Sequence, residues 1–123
     1  MAIIVTGGAG FIGSCLVRML NDRGIKDIIV VDDINTTEKW KHLVNKDYLE
    51  YIHKDEFLAR LPEFDGKVSH VIHMGACSST TEKDFDYLYR NNYLYTIALS
   101  QTTVKAWEVP TWNSVFYATL HPN

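Results

Sequence analysis

Three glycines at a fixed spacing constrain this chain more than any other feature. Gly7, Gly10 and Gly13 stand in the run Thr6-Gly7-Gly8-Ala9-Gly10-Phe11-Ile12-Gly13, a G-x-x-G-x-x-G pattern. Before it comes Ile3-Ile4-Val5, a β-branched run typical of a strand buried on both faces. After it, Ile12, Cys15, Leu16, Met19 and Leu20 recur at helical spacing, and Gly24 stands where the glycine that closes a helix belongs. Each glycine of the triplet has a mechanical role in a strand–turn–helix unit. The first permits the tight turn leaving the strand. The second removes a Cβ where the backbone must approach a pyrophosphate. The third lets the helix pack close to the sheet. The free N–H groups and the helix dipole then favour a doubly anionic group. A second strand, Ile28-Ile29-Val30-Val31, ends at Asp32-Asp33, and Asp32 lies nineteen residues beyond Gly13. An acid there can accept hydrogen bonds from an adenosine ribose. The plainer reading is a turn shaped by glycines beside a capped strand end. Strand, helix and acid together favour the dinucleotide reading.

The rest of the chain continues the alternation. A polar stretch over 35–46, with Trp40, Leu43 and Val44 as its apolar face, reads as a loop and a short helix. A third strand is expected over 48–52. A short helix over 55–61 is stopped by Pro62, which lacks the N–H that a helix interior needs. A fourth strand covers 68–72. Ser79-Thr80-Thr81-Glu82 matches a capping box, so a helix is expected to start there, with Phe85, Leu88, Asn92 and Leu99 along one face. A fifth strand is possible over 115–118. This order implies an α/β fold: a Rossmann-type parallel sheet with helices on both faces, incomplete at four to five strands. The expected strand order is 3-2-1-4, with a fifth strand beyond the fourth. Ligands bind such a sheet at its carboxyl edge, where the order reverses between the first and fourth strands.

Composition narrows the partners. The 123 residues fit one domain, and 46% of them are hydrophobic, enough for a core. Twelve Lys and Arg against fifteen Asp and Glu give a net charge of −3, with no electrostatic footprint for nucleic acid or an anionic membrane. No apolar run approaches the ~20 residues of a membrane span, and no basic leader precedes Thr6. Cys15 and Cys77 cannot make a disulfide framework, so a reduced, cytoplasmic, soluble protein is the expectation. His42, His53, His70 and His121 have no metal-ligand spacing, and no metal is assigned.

The fourth strand runs into His73-Met74-Gly75-Ala76-Cys77-Ser78-Ser79-Thr80-Thr81-Glu82, and Asn91-Asn92-Tyr93 follow. G-x-x-G-x-x-G is the arrangement of extended short-chain dehydrogenase/reductases. With the residues after the fourth strand, it makes residues 1–101 resemble the ADP-glyceromanno-heptose 6-epimerases. The stretch 75–82 is more specific to that family than the glycine loop. The family interconverts ADP-linked heptoses for the lipopolysaccharide core of Gram-negative bacteria, by transient oxidation at C6 with a tightly held NADP. The resemblance therefore implies an N-terminal NADP-binding part over 1–101. In it, Phe11 and Ile12 lie over the pyrophosphate through their backbone, and Asp32 and Asp33 meet the adenosine ribose. Lys39 and Lys54 match two lysines that hold NADP. Met74, Gly75, Ala76, Cys77 and Ser78 line the cofactor, and Asn91 reaches it from the following helix. Family members self-associate, so the resemblance also implies a homo-oligomer and an ADP-heptose substrate for the full-length enzymes.

Two departures qualify the resemblance. Position 33 is Asp where a neutral Asn is familiar; a second carboxylate repels a 2′-phosphate unless Lys39 offsets it, so NADP is favoured by resemblance and NAD stays open by electrostatics. The family's base is the Tyr of a Tyr-x-x-x-Lys pair, and these 123 residues contain no such pair; Tyr51-Ile52-His53-Lys54 is one residue short. Residues 102–123 otherwise depart from the family pattern, and a truncation or frameshift after about Gln101 is the expectation, with no turnover by this chain alone. His73 reads as a satisfied buried histidine and Cys77 as a small packing residue. The competing readings are another nucleotide-sugar epimerase or dehydratase of the same superfamily, and a non-catalytic NAD(P)-binding module.

Overall fold

The computed structural model describes residues 2–75, 83–94 and 104–108. Five strands form one sheet in the order 3-2-1-4-5: β1 Ala2–Thr6, β2 Ile28–Asp32, β3 Glu50–His53, β4 Val68–His73 and β5 Val104–Glu108. Every pairing is parallel, so all five strands end at the same edge. Between them run α1 (Phe11–Asp22), a 3-10 turn (Glu38–Leu43), α2 (Lys54–Arg60), a second 3-10 turn (Leu61–Phe64) and α3 (Phe85–Leu88), which widens into a π-turn segment (Tyr89–Leu94).

The two-residue period of the strands sorts the core into two layers. Ile4, Ile29, Val31, Ile52 and Val71 face one side and pack with Phe57 of α2. Val5, Ile28 and Val30 face the other and pack with Val17 of α1 and Leu43 of the first 3-10 turn. The β-branched runs are thus buried on both faces, as a central parallel strand requires. All five residues of β2 are buried. Phe57 is completely buried, and its side chain contributes roughly 1.5–3 kcal/mol of transfer free energy.

The elements differ from the sequence expectation in three places. β3 begins at Glu50, because Tyr48 supplies its apolar surface to the core from the preceding loop. α2 stops at Arg60, and Pro62 then opens the second 3-10 turn, where its missing N–H costs nothing. The described part of the helix after β4 starts at Phe85, where Asp84 caps it by accepting the Tyr87 N–H at 3.1 Å. The capping box at 79–82 lies outside the described residues, as does the strand expected over 115–118. The fifth strand of the sheet is Val104–Glu108, held in register against β4 from Val68 to Ile72. Among the described residues no helix is long and apolar enough to cross a membrane.

Candidate functional site

The parallel sheet delivers the ends of β1, β2, β3 and β4 to one edge, and the chemistry-bearing residues collect there. The turn after β1 is fixed by close backbone approach. Gly7 has φ +69, and a Cβ on it would lie 2.8 Å from the Met74 carbonyl carbon and oxygen beyond β4. A Cβ on Gly13 would lie 2.0 Å from the Gly7 carbonyl oxygen, so the third glycine brings the first turn of α1 against the turn itself. Gly10 donates its N–H to Gly7 O at 3.0 Å. A Cβ on Gly10 would meet only that same oxygen, at 3.3 Å, and otherwise enter open space. Gly10 also begins α1 with extended backbone and no side-chain cap. Beside it, Phe11 and Ile12 are exposed, Phe11 by 76%. An uncapped helix start over an open glycine is the arrangement that suits an anionic group.

Asp32 ties this loop to the end of β2. Its Oδ2 accepts the Ala9 N–H at 2.9 Å, and its Oδ1 accepts the Asp33 N–H at 2.7 Å and Lys39 Nζ at 2.8 Å. A carboxylate offers about four acceptor positions, so one remains for a ribose hydroxyl. His42 Nδ1 pairs with the Ala9 carbonyl at 2.7 Å, so Ala9 is held at both ends of its backbone. Tyr51 OH donates to the Asp32 carbonyl at 3.1 Å. Burial pushes the Tyr51 phenol up, helped by the nearby carboxylates of Asp32 and Asp33. That is the opposite of what a tyrosine base needs.

Asp33 turns to the next strand. Its Oδ1 lies 3.2 Å from His53 Nε2 and its Oδ2 lies 4.0 Å from Lys54 Nζ. Lys54 donates to Asn91 Oδ1 at 2.7 Å and stands over the Tyr87 ring at 5.6 Å. The structure therefore joins Lys54 and Asn91, which are far apart in sequence.

At the end of β4, Thr6 Oγ1 accepts the N–H groups of Met74 and Gly75, both at 3.0 Å. Its own proton must then go to His73 Nδ1, 2.5 Å away. His73 is thereby a neutral ring with Nδ1 unprotonated, and burial pushes its pKa down to about 4. This pair pins the β4 exit, Met74-Gly75, beside Gly7.

Of the residues expected from sequence, Gly7, Gly10, Phe11, Ile12, Gly13, Asp32, Asp33, Lys39, Lys54, Met74, Gly75 and Asn91 all fall on or beside this edge. Ala76, Cys77 and Ser78 lie outside the described residues. Thr6, His42 and His53 are additional members. Thr6 carried a signal, as the one polar residue closing a β-branched run. His42 carried none, since its partner is thirty-three positions away.

Comparison with known proteins agrees with this geometry. The NAD dependent epimerase/dehydratase family model matches residues 3–118, a span that takes in β5 and runs past the stretch 1–101. An ADP-L-glycero-D-manno-heptose-6-epimerase of Nitratidesulfovibrio vulgaris (strain DP4) is 53% identical over 100 residues, covering 80% of this chain and 31% of that protein. The chain thus spans about a third of the length of that curated relative. Among solved structures, the Bordetella bronchiseptica enzyme WbmG in complex with NAD and UDP superposes with a TM-score of 0.65 at 28% identity, over 82% of this chain and 33% of that one. The Helicobacter pylori ADP-L-glycero-D-manno-heptose-6-epimerase gives a TM-score of 0.68 at 25% identity, over 81% of this chain and 34% of that one.

Proposed function

Since this chain belongs to the NAD dependent epimerase/dehydratase family, we propose that it is the N-terminal, NADP-binding part of a cytoplasmic ADP-heptose 6-epimerase. The observation that carries the cofactor half of the proposal is the open, uncapped start of α1 over Gly10, set beside the Asp32 carboxylate. The sugar half rests on the likeness to the Nitratidesulfovibrio protein.

The residues present fit an adenine dinucleotide. The first-turn amides of α1, at Phe11 and Ile12, face a pyrophosphate, and Asp32 keeps an acceptor position for the ribose. Two ammonium groups, Lys39 and Lys54, stand against the two carboxylates Asp32 and Asp33. The local charge is balanced before a ligand arrives, so a 2′-phosphate meets no net repulsion; that supports NADP over NAD. Lys39 is a third exposed and can turn to a phosphate while Asp32 keeps its two backbone donors. Bound here, the nicotinamide supplies hydride uptake and return. These 123 residues contribute the anion cradle, the ribose anchor and a β4 exit fixed by Thr6. They contain no Tyr-x-x-x-Lys, and by themselves they turn over no sugar nucleotide. Self-association, as the resemblance implies, belongs to the same proposal.

A chimera tests the assignment. Residues 1–101 replace the equivalent segment of the full-length Nitratidesulfovibrio epimerase, and interconversion of the two ADP-heptose epimers is followed by chromatography. Retained epimerisation is expected. A folded chimera that binds NADP and inverts nothing at C6 would contradict the sugar assignment.

A further inference from the structure

Two adjacent carboxylates, Asp32 and Asp33, end β2, and the structure sends them in different directions. Asp32 is bonded to the glycine loop through Ala9 and to Lys39. Asp33 is bonded to the junction of β3 and α2, through His53 on Oδ1 and Lys54 near Oδ2. His53 is the last residue of β3 and also the cap of α2, where its Nδ1 accepts the Asp55 N–H at 3.2 Å. A ring nitrogen that accepts an N–H carries no proton, so the proton of neutral His53 sits on Nε2 and is donated to Asp33. One side chain thus does two separable things: Nδ1 caps a helix and Nε2 restrains a carboxylate.

We propose that His53 is the positioning residue that sets cofactor preference at the ribose end: its Nε2–H holds the Asp33 carboxylate against α2 and so keeps the ribose 2′ position open to a phosphate. The proposal rests on the reading of this edge as an adenine dinucleotide site. Asp33 released from His53 loses its short side-chain hydrogen bond and keeps only the longer contact to Lys54, so its side chain gains rotamers. It can then place its charge beside the ribose, where it accepts from a 2′-hydroxyl and repels a 2′-phosphate.

The two roles of His53 can be split by substitution. In His53→Asn, an amide oxygen near the Nδ1 position keeps the cap, since Asn is a good N-cap residue, but the Nε2 donor to Asp33 Oδ1 is lost and only the Lys54 ammonium, 4.0 Å from Oδ2, still faces it. In His53→Gln, the amide nitrogen lies near the Nε2 position and restores the donor. The readout is the ratio of the dissociation constants for NAD and NADP, measured by calorimetry on the 123-residue chain, with the thermal midpoint as a check on folding. His53→Asn is expected to move the ratio toward NAD by roughly fivefold to tenfold, with a midpoint close to the parent's. His53→Gln is expected to keep the parental ratio. Asp33→Asn is expected to favour NADP, and adding His53→Asn to it should change the ratio no further. An unchanged ratio in His53→Asn, or a shift that persists in the Asp33→Asn background, overturns the role of His53 while leaving the cofactor site standing. Failure of the parent chain to bind either nucleotide overturns both.

Discussion

Thr6 has one hydroxyl and three polar neighbours, and counting protons decides what each can be. Met74 and Gly75 donate to it, so it must donate to His73, and His73 must stay neutral. The pKa of His73 in the folded chain is about 4, because burial disfavours the charged ring, against 6.5 for the free side chain. Between those values the unfolded chain binds a proton that the folded chain refuses. Stability from this residue is therefore complete above about pH 6.5 and is lost as pH falls toward 4, by roughly 3 kcal/mol in all. Urea unfolding across that range should show the fall, and His73→Asn should flatten it by the equivalent of one proton. An identical pH slope in the variant would contradict the neutral, buried ring. The residues whose placement was legible from sequence share one property: that placement is fixed by local spacing. Gly7, Gly10 and Gly13 turn the backbone within a few positions, and Asp32 follows because a strand of known length must return to the same edge. His42 and His53 were illegible because their partners, Ala9 and Asp33, come from the segments that follow β1 and β2, far away in sequence.

Helix ends and loop anchors decide how the strands reach that edge in register. α1 has no basic residue in its last turn. Its end is held instead by Asn21, whose Nδ2 donates to the carbonyls of Ile25 and Asp47, both at 2.9 Å, and whose Oδ1 accepts the Asp47 N–H at 2.8 Å. One side chain thus fastens the end of α1 to the turn before β3. Asn21→Ala removes three hydrogen bonds, two of them at an exposed site, and is expected to cost about 1–3 kcal/mol. Denaturant unfolding at constant m-value checks this, and a loss below a few tenths of a kcal/mol would contradict the anchoring role. The strands were readable where they are central: β1 and β2 carry β-branched runs, and β4 keeps Val68, Val71 and Ile72 among polar residues. β5 was not readable: Val104-Lys105-Ala106-Trp107-Glu108 has no run of its own. Its pairing with β4 makes it a strand. At α3 the described cap is Asp84, which accepts the Tyr87 N–H; the capping box at 79–82 lies outside the described residues.

At the scale of the whole chain, topology gathers the candidate site. Parallel strands in the order 3-2-1-4-5 put a glycine turn, two acids, a histidine–lysine pair and the Met74-Gly75 exit of β4 on one edge. No single strand carries more than a fraction of that edge, and the alternation of elements is what made the gathering of these candidate residues legible. The sugar reading came from the resemblance of residues 1–101 and not from physical chemistry. The central claim is that a diphosphate rests on the bare amides at the start of α1, over Gly10. The most direct measurement is a calorimetric titration of the 123-residue chain with NADP and NAD in parallel, repeated on Gly10→Val, whose added side chain would fill the open space above the turn. Saturable one-to-one binding, tighter for NADP and lost in Gly10→Val, is the expected result. No binding of either nucleotide, or binding that Gly10→Val leaves intact, would contradict it.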